Sequence, residues 1–128
     1  MKTRMLLATV AVVALTFSGV VAAEGKAMAK AEEKTSAVKG EVLDLSCYIG
    51  HGGQGEGHAG CAAKCLKGGA PMGLLGTDGA VYVLFAEHSD GSAYEKAKEF
   101  AGKNVEVTGE VATKGTLKGI TVHGVKAL

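Results

Sequence analysis

Residues 102–111 read Gly-Lys-Asn-Val-Glu-Val-Thr-Gly-Glu-Val, and this stretch decides the fold class of the chain. The apolar residues Val105, Val107 and Val111 alternate with Glu and Thr side chains. A period of two is typical of a β-strand that buries one face and exposes the other. The sequence therefore predicts a half-buried strand here, directly after a helix that ends at Gly102.

Strand signals continue on both sides of this stretch. Two short apolar runs, 72–75 and 81–85, flank the turn sequence Thr-Asp-Gly-Ala at 77–80. Asp-Gly between apolar runs predicts a tight hairpin. A second turn is predicted at 114–116. It leads to a last strand with the apolar residues Leu117, Ile120, Val122 and Val125.

The first strand is predicted to begin at Ala37 and to end at Cys47. Its apolar alternation slips by one residue between Val42 and Leu43. Such a slip predicts a β-bulge, which the conformational freedom of Gly40 would favour.

The pattern Ser-Ala-Tyr-Glu at 92–95 is a capping box, and it predicts a helix over 93–101. The resulting order is strand, insertion, strand, strand, helix, strand, strand. This order resembles the OB-fold, and 102–111 is similar to the fourth strand of small bacterial OB domains. The resemblance covers 37–128 and implies a mainly β fold, namely a small five-stranded OB-like barrel. One capping helix and a short helical Cys/His insertion between strands 1 and 2 would complete it. Another small antiparallel barrel or a sandwich remains the alternative.

The N-terminus has the pattern of a secretory signal peptide. A positively charged start at 1–4 precedes a nearly unbroken apolar run at 5–21, and small residues lead to a cleavage site after Ala23. We therefore predict a signal peptide over 1–23, a flexible lead-in over 24–36 and a periplasmic or secreted protein. A membrane anchor is the alternative, but the apolar run is at the short limit for a span. The mature chain would then have no membrane span.

Charge and composition argue against a nucleic-acid partner. The 128 residues carry a net charge of +1, and loss of the two positive charges of the signal peptide would leave about −1. A nucleic-acid binder of this class needs a basic groove with stacking aromatics. Tyr82 and Phe85 stand an odd number of residues apart on one predicted strand, so they face opposite sides.

All three cysteines of the chain lie in the insertion, which we predict to span 47–70. They share a stretch of 19 residues with two of the four histidines, in the pattern Cys-x3-His-x6-His-x2-Cys-x3-Cys. A helix over 58–67 would place its histidine and two cysteines on one face. The Gly-rich loop at 50–57 would let the first two residues fold back onto that face. The pattern is formed by Cys47, His51, His58, Cys61 and Cys65.

Thiolates and imidazoles together form a soft site that suits zinc or copper. Cys47, Cys61 and Cys65 would be the thiolate ligands, with His58 as the fourth donor and His51 as a second donor or a gate. Four protein ligands would make a structural or carrier site, whereas an open position would permit catalysis. No other cluster of acid, base or nucleophile stands out in the sequence. A metal-binding role therefore outranks catalysis.

Other residues are candidates for a supporting role around this site. Tyr48 would pack over it, Glu56 would accept a hydrogen bond from a ligand histidine, and His88 would approach from the loop after the third strand. Each also has a simpler interpretation, as packing for Tyr48 and as solvated loop residues for the other two. Met72 is predicted to fill the core, and His123 to be an exposed bulge residue.

Two further hypotheses remain for the cysteines. Exported proteins meet oxidising conditions, so Cys47 could form a disulfide with Cys61 or Cys65, which would pin the insertion and leave one thiol over. A thiol–disulfide redox protein is the other, with Cys61 or Cys65 reactive and Cys47 resolving. The insertion also resembles a segment of small exported bacterial proteins. That resemblance implies export and a Cys/His cluster that acts as a unit, without implying an activity.

Overall fold

The computed structural model describes residues 34–128. The predicted signal peptide and nearly all of the predicted lead-in lie outside the described residues. The strands are β1 (Thr35–Asp44), β2 (Met72–Gly76), β3 (Val81–Ala86), β4 (Asn104–Lys114) and β5 (Leu117–Ala127). The helices are α1 (Leu45–His51), α2 (Ala59–Lys67) and α3 (Ser92–Ala97), with 3₁₀ turns at Glu56–His58 and Lys98–Phe100. No helix within 34–128 is long and apolar enough to cross a membrane.

The five strands close into a barrel in the order β1-β2-β3-β5-β4, with β4 paired back to β1. The neighbours β3 and β5 are parallel, and the other pairs are antiparallel. With α3 between β3 and β4, this is the OB-like barrel that the sequence predicts. The cysteines lie between β1 and β2, as predicted, with Cys61 and Cys65 on a helix. The mainly β fold class is confirmed.

The alternation in β4 explains how the barrel closes around an apolar core. Val105 and Val107 are fully buried, whereas Glu106 between them pairs with Lys126 at 2.8 Å. Burial of one such apolar side chain contributes about 1.5–3 kcal/mol. Every strand, α2 and α3 add to the same core, in which Met72 is the predicted filler. The other members are Val42, Ala62, Leu66, Leu74, Tyr82, Leu84, Ala97, Ala101, Ile120 and Val122.

The bulge that the sequence predicts in β1 is absent from the described strand, so this prediction is wrong. β1 pairs with β2 and with β4 in continuous register. Val42 and Leu43 are both buried because both faces of the strand are covered at this end. The bulge lies in β5 instead, where Thr108 faces Gly124 but Gly109 faces Val122. His123 is therefore the extra residue, and it is exposed, as predicted.

The helix after β3 differs from its prediction at both ends. Ser92 is its first residue and not its cap, and the Asp90 carboxylate accepts the Ser92 amide hydrogen at 2.9 Å. The α-helix ends at Ala97 and continues as a 3₁₀ turn. Gly102 then adopts a left-handed φ of 70°, and a Cβ there would lie 2.7 Å from the Cβ of Ala59. Glycine at this position therefore lets the insertion approach the barrel closely.

Candidate metal centre

The insertion, residues 45–71, leaves the barrel and returns to it at one point of the sheet. Asp44 of β1 pairs with Met72 of β2, and the Leu45 amide donates to the Pro71 carbonyl at 2.9 Å. Ala62 and Leu66 of α2 are 2% and 0% exposed and belong to the barrel core. The insertion is therefore fixed at its base and along α2.

Cys47 lies in α1 and does not end a strand, so the prediction of its local structure is wrong. Leu43, Leu45 and Cys47 alternate as a strand would, but Asp44 caps a helix instead. Its Oδ1 accepts the Ser46 amide hydrogen at 2.9 Å, which satisfies a free donor of the first turn. The helix α1 contains seven residues and ends at its C-cap, Gly52, which has a φ of 72°.

The second helix of the insertion agrees with the prediction to within one residue. It spans Ala59–Lys67 and is followed by Gly68, while His58 belongs to the preceding 3₁₀ turn. Cys61 and Cys65 stand one turn apart and thus share a helix face. Burial of Leu66 in the core turns this face toward α1.

The three cysteine sulfurs form a compact cluster. The Sγ atoms of Cys47, Cys61 and Cys65 all lie within 4.8 Å of one another. All three are free thiols, with Cys61 exposed and the other two half-buried. Among residues 34–128 this is the one group of His, Cys, Asp or Glu side chains whose ligand atoms meet in this way. The cluster can hold a metal ion.

Asp44 stands beside this cluster and was missed by the sequence analysis. The residue is only 1% exposed, and Oδ2 is buried with no hydrogen-bond partner of regular geometry in the described part of the chain. Burial raises the pKa of Asp44, but hydrogen bonding to the Cys47 thiol, the Ser46 amide and the Cys65 thiol outweighs it, and the pKa is lowered. A lone aspartate at a strand end gives no sequence signal for such a role.

The same contacts act in the opposite sense on the thiols. Hydrogen bonding to Asp44, with burial as the second cause, raises the pKa of Cys47 to about 12. Hydrogen bonding to Asp44 also raises the pKa of Cys65. The carboxylate therefore keeps both thiols protonated until a cation offsets its charge.

The structure brings the two predicted histidines together, but neither belongs to the cysteine group. The rings of His51 and His58 meet edge to face with centroids 5.6 Å apart. His51 is exposed, while His58 Nε2 is buried without a hydrogen-bond partner among the described residues. Gly53 lies against this nitrogen, since a Cβ there would be 2.6 Å from it. Metal ligation by either histidine stays a prediction.

The supporting residues lie on three different elements. Tyr48 is half-buried on α1, next to Cys47 in the chain, whereas Glu56 is exposed in the 3₁₀ turn. His88 is exposed in the loop after β3. A residue that the sequence analysis did not single out, Glu41 of β1, accepts the Gly55 amide hydrogen and so ties the Gly-rich loop to the barrel.

Comparison with known proteins places this chain in no family: no family model matches it, and no curated protein and no solved structure matches it significantly. A barrel of this kind serves many functions, so the site must carry the functional argument. Two surface clefts of about 500 and 200 Å³ lie away from the cysteines. The first is lined by charged side chains of α2, α3 and the 3₁₀ turn after α3, and the second mainly by apolar residues around Phe85.

Proposed function

We propose that this protein is exported and binds one zinc or copper ion through Cys47, Cys61 and Cys65, as a metal-binding protein rather than an enzyme. The observation that carries the proposal is that all three sulfurs lie within 4.8 Å of one another. Zinc–sulfur bonds of about 2.3 Å in tetrahedral geometry place sulfurs roughly 3.8 Å apart. Inward movement of the side chains by about 1 Å is therefore enough to close the ligands on an ion.

The donor set limits the class of metal. Thiolate sulfur is a soft ligand that favours zinc and copper(I) over magnesium or calcium. Cys61 is exposed, whereas Cys47 and Cys65 are half-buried toward the barrel. An ion can thus enter from the solvent side without unfolding the barrel, which suits an exchangeable site better than a closed structural one.

The electrostatics of the cluster favour metal binding over thiol–disulfide chemistry. Reactive cysteines have lowered pKa values. Here hydrogen bonding to Asp44 raises the pKa of Cys47 to about 12 and also raises the pKa of Cys65. A bound cation offsets the carboxylate charge and stabilises the thiolates, so the same contacts that oppose redox reactivity are compatible with a metal site.

Support for export comes from the N-terminal sequence. A charged start, an apolar run over 5–21 and small residues at 21–23 have the pattern of a cleavable leader. Without a twin arginine the chain would cross the membrane unfolded, so the ion would be acquired after export.

The test is to express the chain from its own first residue and to purify it from the secreted or periplasmic fraction. Intact-mass measurement would locate the cleavage site, and elemental analysis would identify the bound metal. Alkylation with and without chelator would count the free thiols. We expect a chain that starts at Glu24, holds one zinc or copper ion and exposes three thiols only after chelation. Cys61→Ser is the matched control, because the side chain is exposed and its loss should abolish stoichiometric metal without unfolding the barrel.

Two results would contradict the proposal. A chain without metal, with one free thiol and one disulfide, would favour the disulfide-pinned module. A chain retained in the cytoplasm at full length would contradict the proposed export but not the proposed metal binding.

A further inference from the structure

We propose that Asp44 is the fourth metal ligand of the cysteine site, through Oδ2, and that this carboxylate makes the site prefer Zn²⁺ to copper(I). This inference rests on the proposed metal-binding function and adds a ligand and a metal preference to it. It concerns a residue that neither the motif nor the spacing of the cysteines indicates.

One oxygen of the Asp44 carboxylate is buried without a partner among residues 34–128. Asp44 is 1% exposed; Oδ1 accepts the Ser46 amide hydrogen, while Oδ2 has no regular hydrogen-bond partner among the described residues. Buried polar atoms nearly always have one, because leaving a polar atom unpaired costs about 1–3 kcal/mol or more for a charged group. A group that binds Oδ2 is therefore expected.

The position of Asp44 in the fold also favours ligation. Asp44 is the last residue of β1 and directly precedes the helix that carries Cys47. Its carboxylate caps the first turn of that helix, in which Cys47 is the third residue, so it lies at the buried end of the sulfur cluster. Cys61 lies on the solvent side. An ion between the three sulfurs would thus meet Asp44 on its inner side.

Asp44 also has no cationic side chain paired with it among residues 34–128. The ion pairs of residues 34–128 involve glutamates, namely Glu87, Glu95, Glu106 and Glu110, and Asp44 takes part in none of them. A buried carboxylate without a lysine, arginine or histidine partner is unfavourable unless another cation is present. A metal ion held by the neighbouring thiols would supply that charge.

The charge balance sets the metal preference. When the three thiols bind an ion, their three protons leave to solvent and three thiolates remain beside the carboxylate. The site then carries a net charge of −2 with Zn²⁺ and −3 with copper(I). Zinc also accepts aspartate oxygen at about 2.0–2.2 Å in tetrahedral sites, whereas copper(I) is matched to soft sulfur ligands and gains little from a carboxylate.

Asp44 is a better placed fourth donor than His58. The buried nitrogen of His58, Nε2, lies against the backbone of Gly53, at a position where a Cβ would come within 2.6 Å. Ligation through this nitrogen would require the loop after α1 to move. Asp44, by contrast, already lies next to the turn of α1 that carries Cys47, as the cap of that helix.

The test compares the full-length chain with Asp44→Asn and His58→Ala. Asparagine is as good a helix cap as aspartate, so Asp44→Asn keeps the contact to Ser46 and changes only Oδ2. We expect Asp44→Asn to weaken Zn²⁺ binding by about tenfold or more and to change copper(I) binding by less than about threefold, measured by competition with chelators of known affinity. His58→Ala should change neither affinity by more than about threefold.

X-ray absorption at the zinc edge would identify the ligand atoms in the unmodified chain. This measurement does not depend on whether the variants fold. We expect one oxygen ligand at about 2.0–2.2 Å beside the sulfurs, without the outer scattering of an imidazole ring. An imidazole signal, equal loss of Zn²⁺ and copper(I) affinity in Asp44→Asn, or a zinc affinity that depends on His58 would overturn this inference. An unmodified chain that binds neither metal would instead defeat the proposed function itself.

Discussion

The barrel and the insertion are held together by different forces. The strands of the barrel are paired on both sides and enclose fully buried side chains such as Val107 and Ile120. The insertion contains helices of 7 and 9 residues, shorter than the roughly 12–15 residues that an isolated helix needs. It is held by the cap at Asp44, by the loop contact of Glu41 with Gly55 and by the buried face of α2.

This difference gives the two regions different roles. The barrel fixes the position of the insertion, and the insertion holds the cysteines of the candidate metal site. The barrel strands pair with one another, whereas the insertion exposes a thiol, and an unpaired carboxylate oxygen is buried where the two regions meet. Asp44 belongs to both, as the last residue of β1 and the cap of α1. A ligand that binds the insertion should therefore act on the barrel through this residue.

The largest effect is expected where the two regions share one core. Leu66 of α2 is fully buried among barrel residues, so Leu66→Ala should lower the free energy of unfolding by about 2–5 kcal/mol. Urea denaturation followed by circular dichroism would measure it. Ile49→Ala is the control, because Ile49 is 79% exposed and should change stability by less than about 0.5 kcal/mol. A small effect of Leu66→Ala would show that the insertion folds apart from the barrel.

A metal effect of similar size is expected if the cysteine cluster binds zinc in the folded state only. Free zinc at about a hundredfold above its Kd should add about 2.7 kcal/mol of stability. For a domain of this size, that corresponds to a rise in Tm of roughly 10–20 °C in a thermal melt. Cys61→Ser should melt at the same temperature with and without zinc. If zinc raised the Tm of this variant as much as that of the unmodified chain, the zinc would be bound at a site other than the cysteine cluster.

Glycine substitutions should have opposite signs in the two regions. A Cβ on Gly40 of β1 would lie 2.2 Å from the Leu75 carbonyl oxygen, so Gly40→Ala should cost about 1–3 kcal/mol. A Cβ on Gly60 of α2 would meet nothing within 4 Å, so Gly60→Ala should add about 0.5–1 kcal/mol. Denaturation midpoints of both variants test this contrast. An unchanged stability of Gly40→Ala would contradict this contrast.

The smallest effect is a loss of stability in alkaline solution, because Cys47 is only half-buried. Its pKa is raised in the folded state from an ordinary 9 to about 12 by hydrogen bonding to Asp44. The contact therefore stabilises the fold fully below pH 9, and this contribution is lost as the pH rises from 9 to 12. Melts of the reduced chain and of Cys47→Ser with chelator across this range should show a steeper decline for the unmodified chain. Parallel declines would contradict the assignment.

The barrel could be predicted from the sequence because a strand such as β4 alternates in a single phase. Val105 and Val107 point inward as their spacing requires, and the Asp-Gly turn joins β2 to β3 as expected. The misplaced bulge has a tertiary cause. Leu43 is buried because the outer face of β1 is covered at its end, and no local pattern distinguishes this from a slip in register.

The site could be predicted only in part. The spacing of Cys61 and Cys65 on a helix was sufficient to place these thiols on one face. Cys47 was assigned to a strand because Leu43 and Leu45 extend its alternation, and the cap at Asp44 that starts α1 overrides this pattern. The role of Asp44 depends on burial by residues distant in the chain, which spacing does not report.

Binding of one metal ion by all three cysteines together can be tested by a Co²⁺ titration of the reduced, full-length chain. Cobalt replaces zinc in thiolate sites and gives a thiolate-to-metal charge-transfer absorption that grows with the number of sulfur ligands. We predict that this absorption saturates at one Co²⁺ per chain and falls in Cys47→Ser, Cys61→Ser and Cys65→Ser alike. Absorption that is missing in the unmodified chain, or unchanged when any one of these cysteines is replaced, would contradict binding of one ion by all three cysteines.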